Sequence, residues 1–438
     1  MPDHASSSHP AVQAQLDRLW RLSPGADVLG LERITRLLAR LGDPHLSLPP
    51  VFHVAGTNGK GSTCAFLRAA IEASGHDVHV FTSPHLVRFN ERIRIAGRLI
   101  EDEQLAPLLS EVLDAAGSGD GAIGASFFEV TTAAAFLAFA RTPAAATIVE
   151  VGLGGRLDAT NVLSAPAVTG IASLGIDHQS FLGATLREIA GEKAGIAKRG
   201  RPLVTMAYPA EIAEHVGSLA QQAGAPVHAL GRHWWYETAG ETLRYRDPGF
   251  SVVLPAPRLV GPHQSGNLAL AIAMLRHQGA IDVPEAAMRA AGDWAQWPAR
   301  FQHLSPGPLH GLLRPGTDLW LDGGHNEDAA RAIAAAIRAR LPGRVSLVLG
   351  MLANKPAEPF LAALAPLVDQ VVAVPIPGHD HHAPERLAGI AAELRLPARA
   401  AVDLPGALAV LGGAERVLIA GSLYLAGEAL RLNDELPV

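Results

Sequence analysis

A glycine-rich loop that follows an apolar run is the feature that most constrains the fold of this chain. Val51–Ala55 has the composition of a buried strand, and residues 61–74 have the pattern of an amphipathic helix. The loop between them runs Ala55-Gly56-Thr57-Asn58-Gly59-Lys60-Gly61-Ser62. The order strand, glycine loop, helix directs backbone N–H groups and the positive end of a helix dipole toward one point, which favours an anion there. The sequence therefore predicts a phosphate site in an α/β protein.

Lys60 in this loop would place a positive charge beside the β- and γ-phosphates of a nucleotide, and Ser62 or Thr63 a hydroxyl near its metal ion. The loop departs from the strict P-loop pattern, because Val54 stands where the first glycine is usual and Lys60 is followed by Gly61. An ordinary glycine turn that caps a helix is the alternative. The position between an apolar strand and an amphipathic helix favours nucleotide binding. The predicted nucleotide-binding residues of the loop are Gly56, Thr57, Asn58, Gly59, Lys60, Gly61 and Ser62.

Short β-branched runs alternate with Ala- and Leu-rich stretches through the first two thirds of the chain. This alternation predicts βαβ units and a parallel sheet. The predicted strands after the loop cover residues 78–82, 146–151, 167–173 and 202–206, with helices at 127–140 and 185–194. Between residues 227 and 257, aromatic residues lie among Gly and Pro, which indicates a small antiparallel excursion.

The last third of the chain is again of the α/β type and predicts a second doubly wound domain. Its predicted strands cover residues 318–321, 345–349, 370–374 and 416–420, with a helix at 327–340. A proline among aromatic residues at 294–298 marks the candidate boundary. We therefore divide the chain into domains of residues 1–297 and 298–438.

Composition limits the classes of function. Of the 438 residues 48% are hydrophobic and 18% charged, which is enough apolar material for buried cores and argues against global disorder. The net charge of -6 argues against a nucleic-acid partner, which would require a basic excess. Cys64 is the single cysteine, so a reducing compartment is expected. The sequence has neither a signal-peptide pattern nor an apolar run of about 18 residues, and we expect a cytoplasmic protein with no membrane partner.

Three polar side chains follow predicted strands and should meet at the ligand-binding edge of the sheet. Glu150 ends the run Thr147-Ile148-Val149, and a carboxylate beside a phosphate loop is a natural Mg²⁺ ligand. Ser83 follows the strand at 78–82, and His178 follows the strand at 167–173. Each alone is more often a turn serine, a structural histidine or a solvated acid. The expected presence of all three at one edge of the sheet is stronger evidence for a functional site than any one of them alone.

Other polar residues are ambiguous from the sequence. Lys193 lies in a predicted helix and is by default a solvated residue of a helix face. Asp322 and His325 follow a strand and open a helix in the second domain, again at a ligand edge, and Arg300 is a lone basic residue near the boundary. The run His379-Asp380-His381-His382 invites a metal interpretation, but its place among Pro and Gly favours a polar loop.

Taken together, these segments resemble the folylpolyglutamate synthase/dihydrofolate synthase family, a branch of the Mur ligase superfamily. The resemblance covers nearly the whole chain, from Leu29 to the last strand and helix. The matching segments are His53 to Ser62, Thr82-Ser83-Pro84-His85-Leu86, Phe128-Glu129, Glu150 to Asn161, Asp177-His178, Glu192-Lys193-Ala194-Gly195-Ile196, Arg300-Phe301-Gln302, Asp322 with His325-Asn326, and Gly350-Met351-Leu352.

The resemblance implies a fold and a reaction. It implies an N-terminal P-loop-containing Mur ligase ATPase domain with a parallel sheet, and a C-terminal Rossmann-like α/β domain that acts as the glutamate ligase domain. The implied enzyme is an ATP-dependent ligase that joins L-glutamate to dihydropteroate and extends (tetrahydro)folates with γ-linked glutamates through an acyl phosphate. We expect a monomer that adds both first and later glutamates.

The resemblance also implies roles for matching residues. ATP would contact the loop, Asn267, Arg300, Asp322 and His325. The implied ligands of two Mg²⁺ ions are Ser83, Glu150, His178 and Lys193, with Lys193 carbamylated by CO₂. Lys60, Lys193 and His178 are the implied catalytic residues. The implied pterin-site residues are Ser126, Phe127, Phe128, Glu129, Leu157, Asp158 and Ala159.

Two departures and two rival functions accompany this expectation. Gly323-Gly324 and Asn354-Lys355 differ from the usual family pattern, and no site residue is assigned in the N-terminal loop near residues 21–27. One rival is a Mur-type ligase with another carboxylate substrate, such as a UDP-muramoyl peptide. The other is a P-loop nucleotide-binding switch without ligase chemistry.

Overall fold

The computed structural model describes residues 5–22 and 29–437, so most of the N-terminal loop near residues 21–27 lies outside the described residues. Its contacts divide the chain into two units, Met1–Arg258 with Gln264–Ala295 and Leu259–His263 with Gln296–Val438. The main division lies beside the boundary placed at residue 297, whereas the short segment 259–263 of the second unit was not predicted. None of the helices in the described ranges is long and apolar enough to cross a membrane.

The elements up to residue 294 alternate as the sequence predicts. The helices are α1 (Pro10–Leu22), α2 (Glu32–Arg40), α3 (Lys60–Ala73), α4 (Asp102–Ala116), α5 (Phe127–Ala140), α6 (Gln179–Leu182), α7 (Leu186–Ala194), α8 (Ala210–Ala223), α9 (Pro262–His277) and α10 (Glu285–Trp294). The strands are β1 (Val51–Ala55), β2 (Val78–Phe81), β3 (Ile93–Ile95), β4 (Arg98–Leu99), β5 (Ala146–Glu150), β6 (Val168–Ile171), β7 (Leu203–Thr205), β8 (Val227–Ala229), β9 (Trp235–Ala239), β10 (Thr242–Asp247) and β11 (Phe250–Pro255).

The first unit is built on a sheet with the strand order β4-β3-β2-β5-β1-β6-β7-β8. The strands from β2 to β8 in this order are parallel, and β3 and β4 add an antiparallel edge. The carboxyl ends of β2, β5, β1 and β6 are therefore adjacent, and residues that follow these strands meet at one edge. The predicted α/β class with a parallel sheet is confirmed.

Apolar side chains cover both faces of this sheet. On one face, residues of α1, α2, α4 and α5 form a core with Phe81 and Val149 of the strands. Further along the same face, residues of α7 and α8 pack against Ala55, Ile171 and Leu203. The opposite face is covered by α3, which contacts β1, β2 and β5, and by Met274 of α9, which packs on Gly170. Strands that are covered on both faces need apolar residues at nearly every position, and β1, β2, β5 and β6 are buried throughout.

The predicted antiparallel excursion is a three-stranded sheet of order β11-β10-β9. One part of this prediction is wrong, because β8 pairs in parallel with β7 and extends the main sheet. The excursion therefore begins at Trp235. Its middle strand alternates between exposed and buried residues, as expected for a sheet with one face packed on the protein.

The second unit has its own mostly parallel sheet. Its helices are α11 (Glu327–Arg340), α12 (Ala357–Leu364), α13 (Pro384–Glu393), α14 (Leu404–Val410) and α15 (Leu423–Leu432). Its strands are β12 (Gln302–His303), β13 (Asp318–Leu321), β14 (Val345–Leu349), β15 (Val368–Ala373), β16 (Ala398–Ala400) and β17 (Arg416–Ala420). The strand order is β12-β13-β17-β14-β15-β16, with only the β12–β13 pair antiparallel among the described strands. Residues of α11, α12 and α13 form the core with β14, β15 and β17.

A histidine lies in the middle of the central strand of the first sheet. His53 is fully buried, and its Nε2 lies 2.8 Å from Thr160 Oγ1. The Thr160 hydroxyl donates to Asp158 Oδ1 at 2.5 Å, so it can only accept from His53, and Nε2 must carry the ring proton. His53 is therefore neutral and links β1 to the loop that follows β5.

This neutral histidine predicts a pH dependence of stability. Burial, together with the charge of Lys198, lowers the pKa of His53 from 6.5 to about 3. In the unfolded chain His53 binds a proton near its ordinary pKa of 6.5, whereas in the folded chain it stays neutral down to about pH 3. The stability that depends on the neutral ring is therefore fully present above pH 6.5 and is lost as the pH falls toward 3. We expect this group to contribute a slope of up to about 1.4 kcal/mol per pH unit to the free energy of unfolding.

Urea unfolding from about pH 7 to about pH 4 measures this slope. The curve of a His53→Gln variant should be flatter than that of the unchanged protein. The matched control is His76→Gln, which makes the same substitution outside the sheet, in the loop between α3 and β2. Equal slopes in the His53→Gln variant and the unchanged protein would contradict the assignment of a buried neutral imidazole.

Candidate active site

The predicted phosphate loop connects β1 to α3, and the segment after β6 holds its backbone. Thr57 N and Asn58 N donate to Ser173 O at 2.8 and 3.4 Å. Ser173 Oγ donates to Asn58 O at 3.0 Å, and Thr57 Oγ1 donates to Gly175 O at 3.0 Å. The loop is thus fixed by a neighbouring strand end. Ser173 is not among the predicted site residues, because its side chain acts on backbone atoms far away in the sequence.

Gly59 ends the loop in a conformation that requires glycine. Its φ is 89°, and a Cβ there would lie 2.4 Å from Oδ1 of Asn267. Asn267 is buried in α9, where its Nδ2 donates to Gln264 Oε1 at 3.0 Å. The structure therefore brings Asn267, a predicted ATP contact, against the N-terminus of α3, as a nucleotide site at this loop requires.

Two lysines converge on one carbonyl oxygen of the loop. Lys60 Nζ donates to Gly56 O at 3.1 Å and to Thr57 O at 3.4 Å. Lys193 Nζ, from the C-terminal turn of α7, donates to the same Gly56 O at 3.0 Å. Two amines thus lie beside the loop that is predicted to bind phosphates, and together they favour an anion there.

Lys193 is buried, contrary to the default expectation of a solvated helix residue, and only 4% of it is exposed. Burial, and then the charge of Lys60, lowers the pKa of Lys193 from 10.5 to about 7, although Asp177, Asp158 and Glu192 act in the opposite direction. A lysine with such a pKa is neutral in about half of the molecules near pH 7. Because only a neutral amine is nucleophilic, Lys193 is chemically competent at physiological pH.

Ser83 and Glu150 lie together at the carboxyl ends of β2 and β5. Ser83 N donates to Glu150 Oε2 at 3.2 Å, and Glu150 is buried. In the sheet, Glu150 lies beside Val54, close to the start of the phosphate loop. The structure therefore brings Ser83 and Glu150 to one sheet edge next to the loop, as the sequence predicts.

This set of oxygens has the chemistry of a Mg²⁺ site that is shared with nucleotide phosphates. In the described ranges, no three His, Cys, Asp or Glu residues form a group that could hold a metal ion on their own. Mg²⁺ needs no such group, because it is usually bound by one or two carboxylates, phosphate oxygens and water. Ser83 and Glu150 fit this requirement.

His178 lies at the end of the segment that follows β6, in the left-handed region with φ 52°. Its side chain is 43% exposed, and its Nε2 lies 4.0 Å from Asp177 Oδ2. Asp177 is largely buried, and its charge acts on Lys193. Asp177 was quoted in a matching segment but not predicted as a site residue. Its electrostatic link to Lys193 appears only in three dimensions.

The start of α5, where the pterin site is predicted, packs directly on the strand end that carries Glu150. A Cβ on Gly152 would lie 2.4 Å from Cζ of Phe128, so the ring of Phe128 covers the backbone just after β5. Phe128 also packs against Phe81 at the end of β2, with the ring centres 5.9 Å apart. The predicted pterin residue Phe128 therefore adjoins the predicted metal ligands.

Two predicted pterin-site acids have structural partners. Glu129 is buried, accepts from Ser126 N at 2.6 Å in a capping box, and pairs with Arg33 Nε at 3.0 Å. Asp158 is buried and accepts from Leu153 N at 2.8 Å and from Thr160 N at 2.9 Å. Burial raises the pKa of Asp158, although these hydrogen bonds oppose the shift. Both acids fix backbone next to the site, and their contact with a pterin stays a prediction.

The remaining predicted pterin residues surround these acids. Phe127 is buried and stacks on Trp20 with ring centres 5.4 Å apart. Ala159 is buried in the short helical turn that Asp158 caps, and Leu157 is half-buried. Arg33 is a partner that the sequence analysis missed, because nothing in the sequence connects it with Glu129, 96 residues away.

In the second unit, the predicted ATP-contact residues Arg300, Asp322 and His325 form one group. Asp322, after β13, accepts from Phe301 N at 2.8 Å and from Gly324 N at 2.6 Å. Burial raises the pKa of Asp322, while the charge of Arg300 opposes this shift. His325 Nδ1 lies 3.1 Å from Gly323 O. The aspartate is thus the centre of a small backbone network.

The residues on either side of Arg300 have an uncommon backbone. Ala299 has φ 56° and Phe301 has φ 44°, a region that non-glycine residues seldom occupy. The Asp322 carboxylate holds Phe301 N, and Gly323 N donates to Ala299 O at 3.0 Å. Strain that surrounding bonds maintain is typical of functional sites, so the geometry favours a fixed, functional Arg300.

These features define an α/β nucleotide-binding protein with a phosphate loop, a buried lysine and a second α/β unit. Residues 311–423 match the family model of the "Mur ligase, glutamate ligase domain". The chain is 36% identical over 360 residues to the dihydrofolate synthase/folylpolyglutamate synthase of Bacillus subtilis. This match covers 76% of this chain and 78% of that protein. The chain belongs to the dihydrofolate synthase/folylpolyglutamate synthase family.

Solved structures agree with this assignment. The chain is similar to E. coli FolC in complex with DHPP and ADP, with a TM-score of 0.86, 32% identity and 99% of each chain covered. It is also similar to a bifunctional folylpolyglutamate synthase/dihydrofolate synthase with Mn, AMPPNP and L-glutamate bound. For that structure the TM-score is 0.84, the identity is 30%, and the match covers 97% of this chain and 99% of the other.

The network around Asp322 predicts the result of an amide-exchange experiment. An Asp322→Ala variant should lose the hydrogen bonds from Phe301 N and Gly324 N. Since hydrogen bonds to charged groups contribute roughly 1.5–3 kcal/mol, exchange at these amides should accelerate by roughly 10- to 100-fold. Asp318→Ala, at the exposed start of β13, is the matched control. Unchanged protection of both amides in Asp322→Ala would contradict the role given to this carboxylate.

Proposed function

We propose that the chain is an ATP-dependent ligase that joins L-glutamate to dihydropteroate and then adds further γ-linked glutamates to folates. The observation that carries this proposal is the convergence of Lys60 and Lys193 on the Gly56 carbonyl, beside the buried carboxylate of Glu150. A solved relative has DHPP and ADP bound, and another has L-glutamate and AMPPNP with Mn. Substrates of these classes fit a site that combines a phosphate loop with an aromatic helix start.

The chemistry explains why such a site needs ATP. A carboxylate is a poor electrophile, so its oxygen first accepts the γ-phosphoryl group of ATP. The amino group of glutamate then attacks the acyl phosphate, the new C–N bond forms, and phosphate leaves. Phosphoryl transfer depends mainly on positioning and on neutralising charge. Lys60, at the first position of α3, supplies a cation for the transferred group.

The metal-binding residues would act at the same point. A divalent ion bound by Ser83 and Glu150 would neutralise phosphate charge during transfer. Glu150 is placed for this by β5, whose neighbours in the sheet are β1 and β2. His178 is proposed as a ligand of a second ion, because the segment after β6 carries it to the same sheet edge.

The start of α5 is the proposed pterin subsite. Phe128 is the half-buried aromatic residue there, and it lies over Gly152 beside the strand that ends in Glu150. An aromatic face is suited to stacking on a planar heterocycle. Ser126, Glu129 and Asp158 contribute by fixing the helix start and the loop after β5. This arrangement would present the carboxylate of a pteroate close to the phosphate loop.

We further propose that Lys193 works as a carbamate. Its neutral amine would attack CO₂, forming an N–C bond and releasing a proton, and the product would carry a negative charge. The pKa of about 7 favours this reaction, because an ordinary lysine, with a pKa of 10.5, is neutral in only about one of three thousand molecules at pH 7. A carbamate would also turn the repulsion from Lys60 into attraction and add oxygen ligands for a divalent ion.

The site also requires an intracellular pool of ATP and folates, which is consistent with the predicted cytoplasmic location. The described structure leaves Cys64 buried and unpaired with any other cysteine. The location itself stays a prediction.

Phosphate release tests the proposed function. The protein, ATP, Mg²⁺ and L-glutamate should release phosphate only when dihydropteroate or tetrahydrofolate is added, and mass spectrometry should show one or more added glutamates. Lys60→Ala should lower the rate by at least about 100-fold, as expected for loss of a charge that stabilises the transferred phosphoryl group. Arg68→Ala, on the same helix and paired with Glu72, is the matched control.

Two outcomes would reject the proposal. Nucleotide binding without acceptor-dependent phosphate release would favour the P-loop switch, and turnover with a UDP-muramoyl peptide but not with a pteroate would favour another Mur-type ligase. Near-normal turnover in a folded Lys60→Ala protein would leave the ligase activity intact but contradict the role of Lys60.

The carbamate makes a separate prediction. Dialysis against CO₂-free buffer should lower ligase activity, and bicarbonate should restore it. Protein equilibrated with ¹³C-bicarbonate should show a carbamate carbon signal that is absent from Lys193→Ala and present in Lys198→Ala, the lysine control on the next segment. A signal of equal intensity in Lys193→Ala would place the modification elsewhere, and the absence of any signal in the active protein would contradict it.

A further inference from the structure

A buried arginine lies beside the segment that carries Ser83. Arg92 is only 2% exposed and is among the largest fully buried side chains. It lies directly before β3, the antiparallel neighbour of β2. A guanidinium is costly to bury, and an apolar residue of similar size is often at least as stabilising at such a position. Filling of space therefore does not explain why an arginine lies at this position, and its specific contacts become important.

Arg92 holds the Ser83 segment on both sides of Ser83. On one side, its backbone O accepts from Thr82 N at 3.1 Å. On the other side, its Nε donates to Nδ1 of His85 at 2.9 Å. Because Nδ1 is the acceptor, the neutral His85 ring carries its proton on Nε2. Ser83 lies between these two contacts, with its N–H directed at Glu150.

The same guanidinium also contacts the start of α5. Its central carbon lies 5.3 Å from the ring centre of Phe127 and 5.7 Å from that of Phe89. Phe127 is the first residue of α5 and precedes Phe128, which covers Gly152. Cation–π contacts of this kind are strongest when they are desolvated, as they are here. One side chain thus touches both the Ser83 segment and the helix of the proposed pterin subsite.

We propose that Arg92 is a positioning residue whose guanidinium fixes Ser83 for metal binding by holding His85, while its contact with Phe127 keeps the pterin-binding helix in register with that metal site. The inference rests on the proposed function, and it deepens that function by naming a residue that none of the catalytic motifs contains. Arg92 itself does not touch the reacting atoms in this proposal. It acts through Ser83.

Metal binding tests this proposal directly. Arg92→Met keeps the length of the side chain and removes the guanidinium. The affinity for Mn²⁺, measured by electron paramagnetic resonance with AMPPNP present, should fall by about 10- to 100-fold, the usual effect of losing an outer partner of a metal ligand. AMPPNP binding measured without metal should be unchanged, and excess Mg²⁺ should restore part of the ligase rate.

Arg94→Met is the matched control. Arg94 lies two residues further along, in β3, and its Nη1 donates to Gly97 O at 3.4 Å, away from the Ser83 segment. This variant should bind Mn²⁺ like the unchanged protein. An equal loss of Mn²⁺ affinity in both variants would show a general effect of disturbing the strand and would overturn the proposal.

Variants of His85 keep the test decisive if Arg92→Met does not fold. His85→Asn retains an acceptor oxygen near the position of Nδ1 and should keep nearly normal Mn²⁺ affinity. His85→Phe removes the acceptor and should weaken Mn²⁺ binding about as much as loss of the arginine. Equal Mn²⁺ affinities in His85→Asn and His85→Phe would overturn the role of the Arg92–His85 contact.

The outcomes also separate this inference from the proposed function. If the unchanged protein does not bind Mn²⁺ with AMPPNP, the proposed nucleotide and metal site is wrong. If it binds both, and folded Arg92→Met binds Mn²⁺ equally well, the site stands and only the role of Arg92 is wrong.

Discussion

The carbonyl oxygen of Gly56 is the point on which the proposed chemistry depends. Lys60 and Lys193 both donate to it, at 3.1 and 3.0 Å. Lys193 is buried and Lys60 is half-buried, so the two amines repel one another when both are charged, and the pKa of Lys193 falls to about 7 as a result of burial and of this repulsion. A negative group in the loop relieves the repulsion. A bound phosphate would supply this negative charge from a ligand, and a carbamate on Lys193 would supply it from the protein itself.

The sheet makes this arrangement possible because its strand order places the polar groups in sequence along one edge. The order β2-β5-β1-β6 presents Ser83, then Glu150, then the phosphate loop, then Ser173. Parallel strands that are covered on both faces leave only their ends for polar residues. The apolar interior of these strands is therefore also the reason why the site lies where it does. Even His53, the polar exception in β1, is neutral and bonded to the loop after β5.

Much of this fold can be predicted from the sequence, because β1, α5 and β14 depend on local patterns of apolar residues and on glycine. The strand β8 was misplaced because its three residues carry little pattern of their own, and it pairs with β7 only through the sheet. Residues that act through distant partners escaped sequence reasoning. Arg33, Asp177 and Arg92 each look like ordinary surface charges in the sequence. Only burial and contacts with remote residues distinguish them, and the same is true of Lys193, whose role was implied by resemblance alone.

Buried acidic residues at the loops of both units show that the presence of a carboxylate near a strand end does not by itself identify a ligand-binding residue. Glu129, Asp158 and Asp322 are all buried, and each accepts hydrogen bonds from backbone N–H groups of the loop beside it. A carboxylate used in this way determines where neighbouring side chains lie, so its loss would displace Phe128, the loop at Leu153 or Arg300 rather than remove a ligand. Glu150 differs because it ends β5 at the edge of the sheet, beside the strand that leads into the phosphate loop. The proposed site of the first unit is thus a small set of groups at one sheet edge, supported by Glu129, Asp158 and one buried arginine that hold the backbone in place.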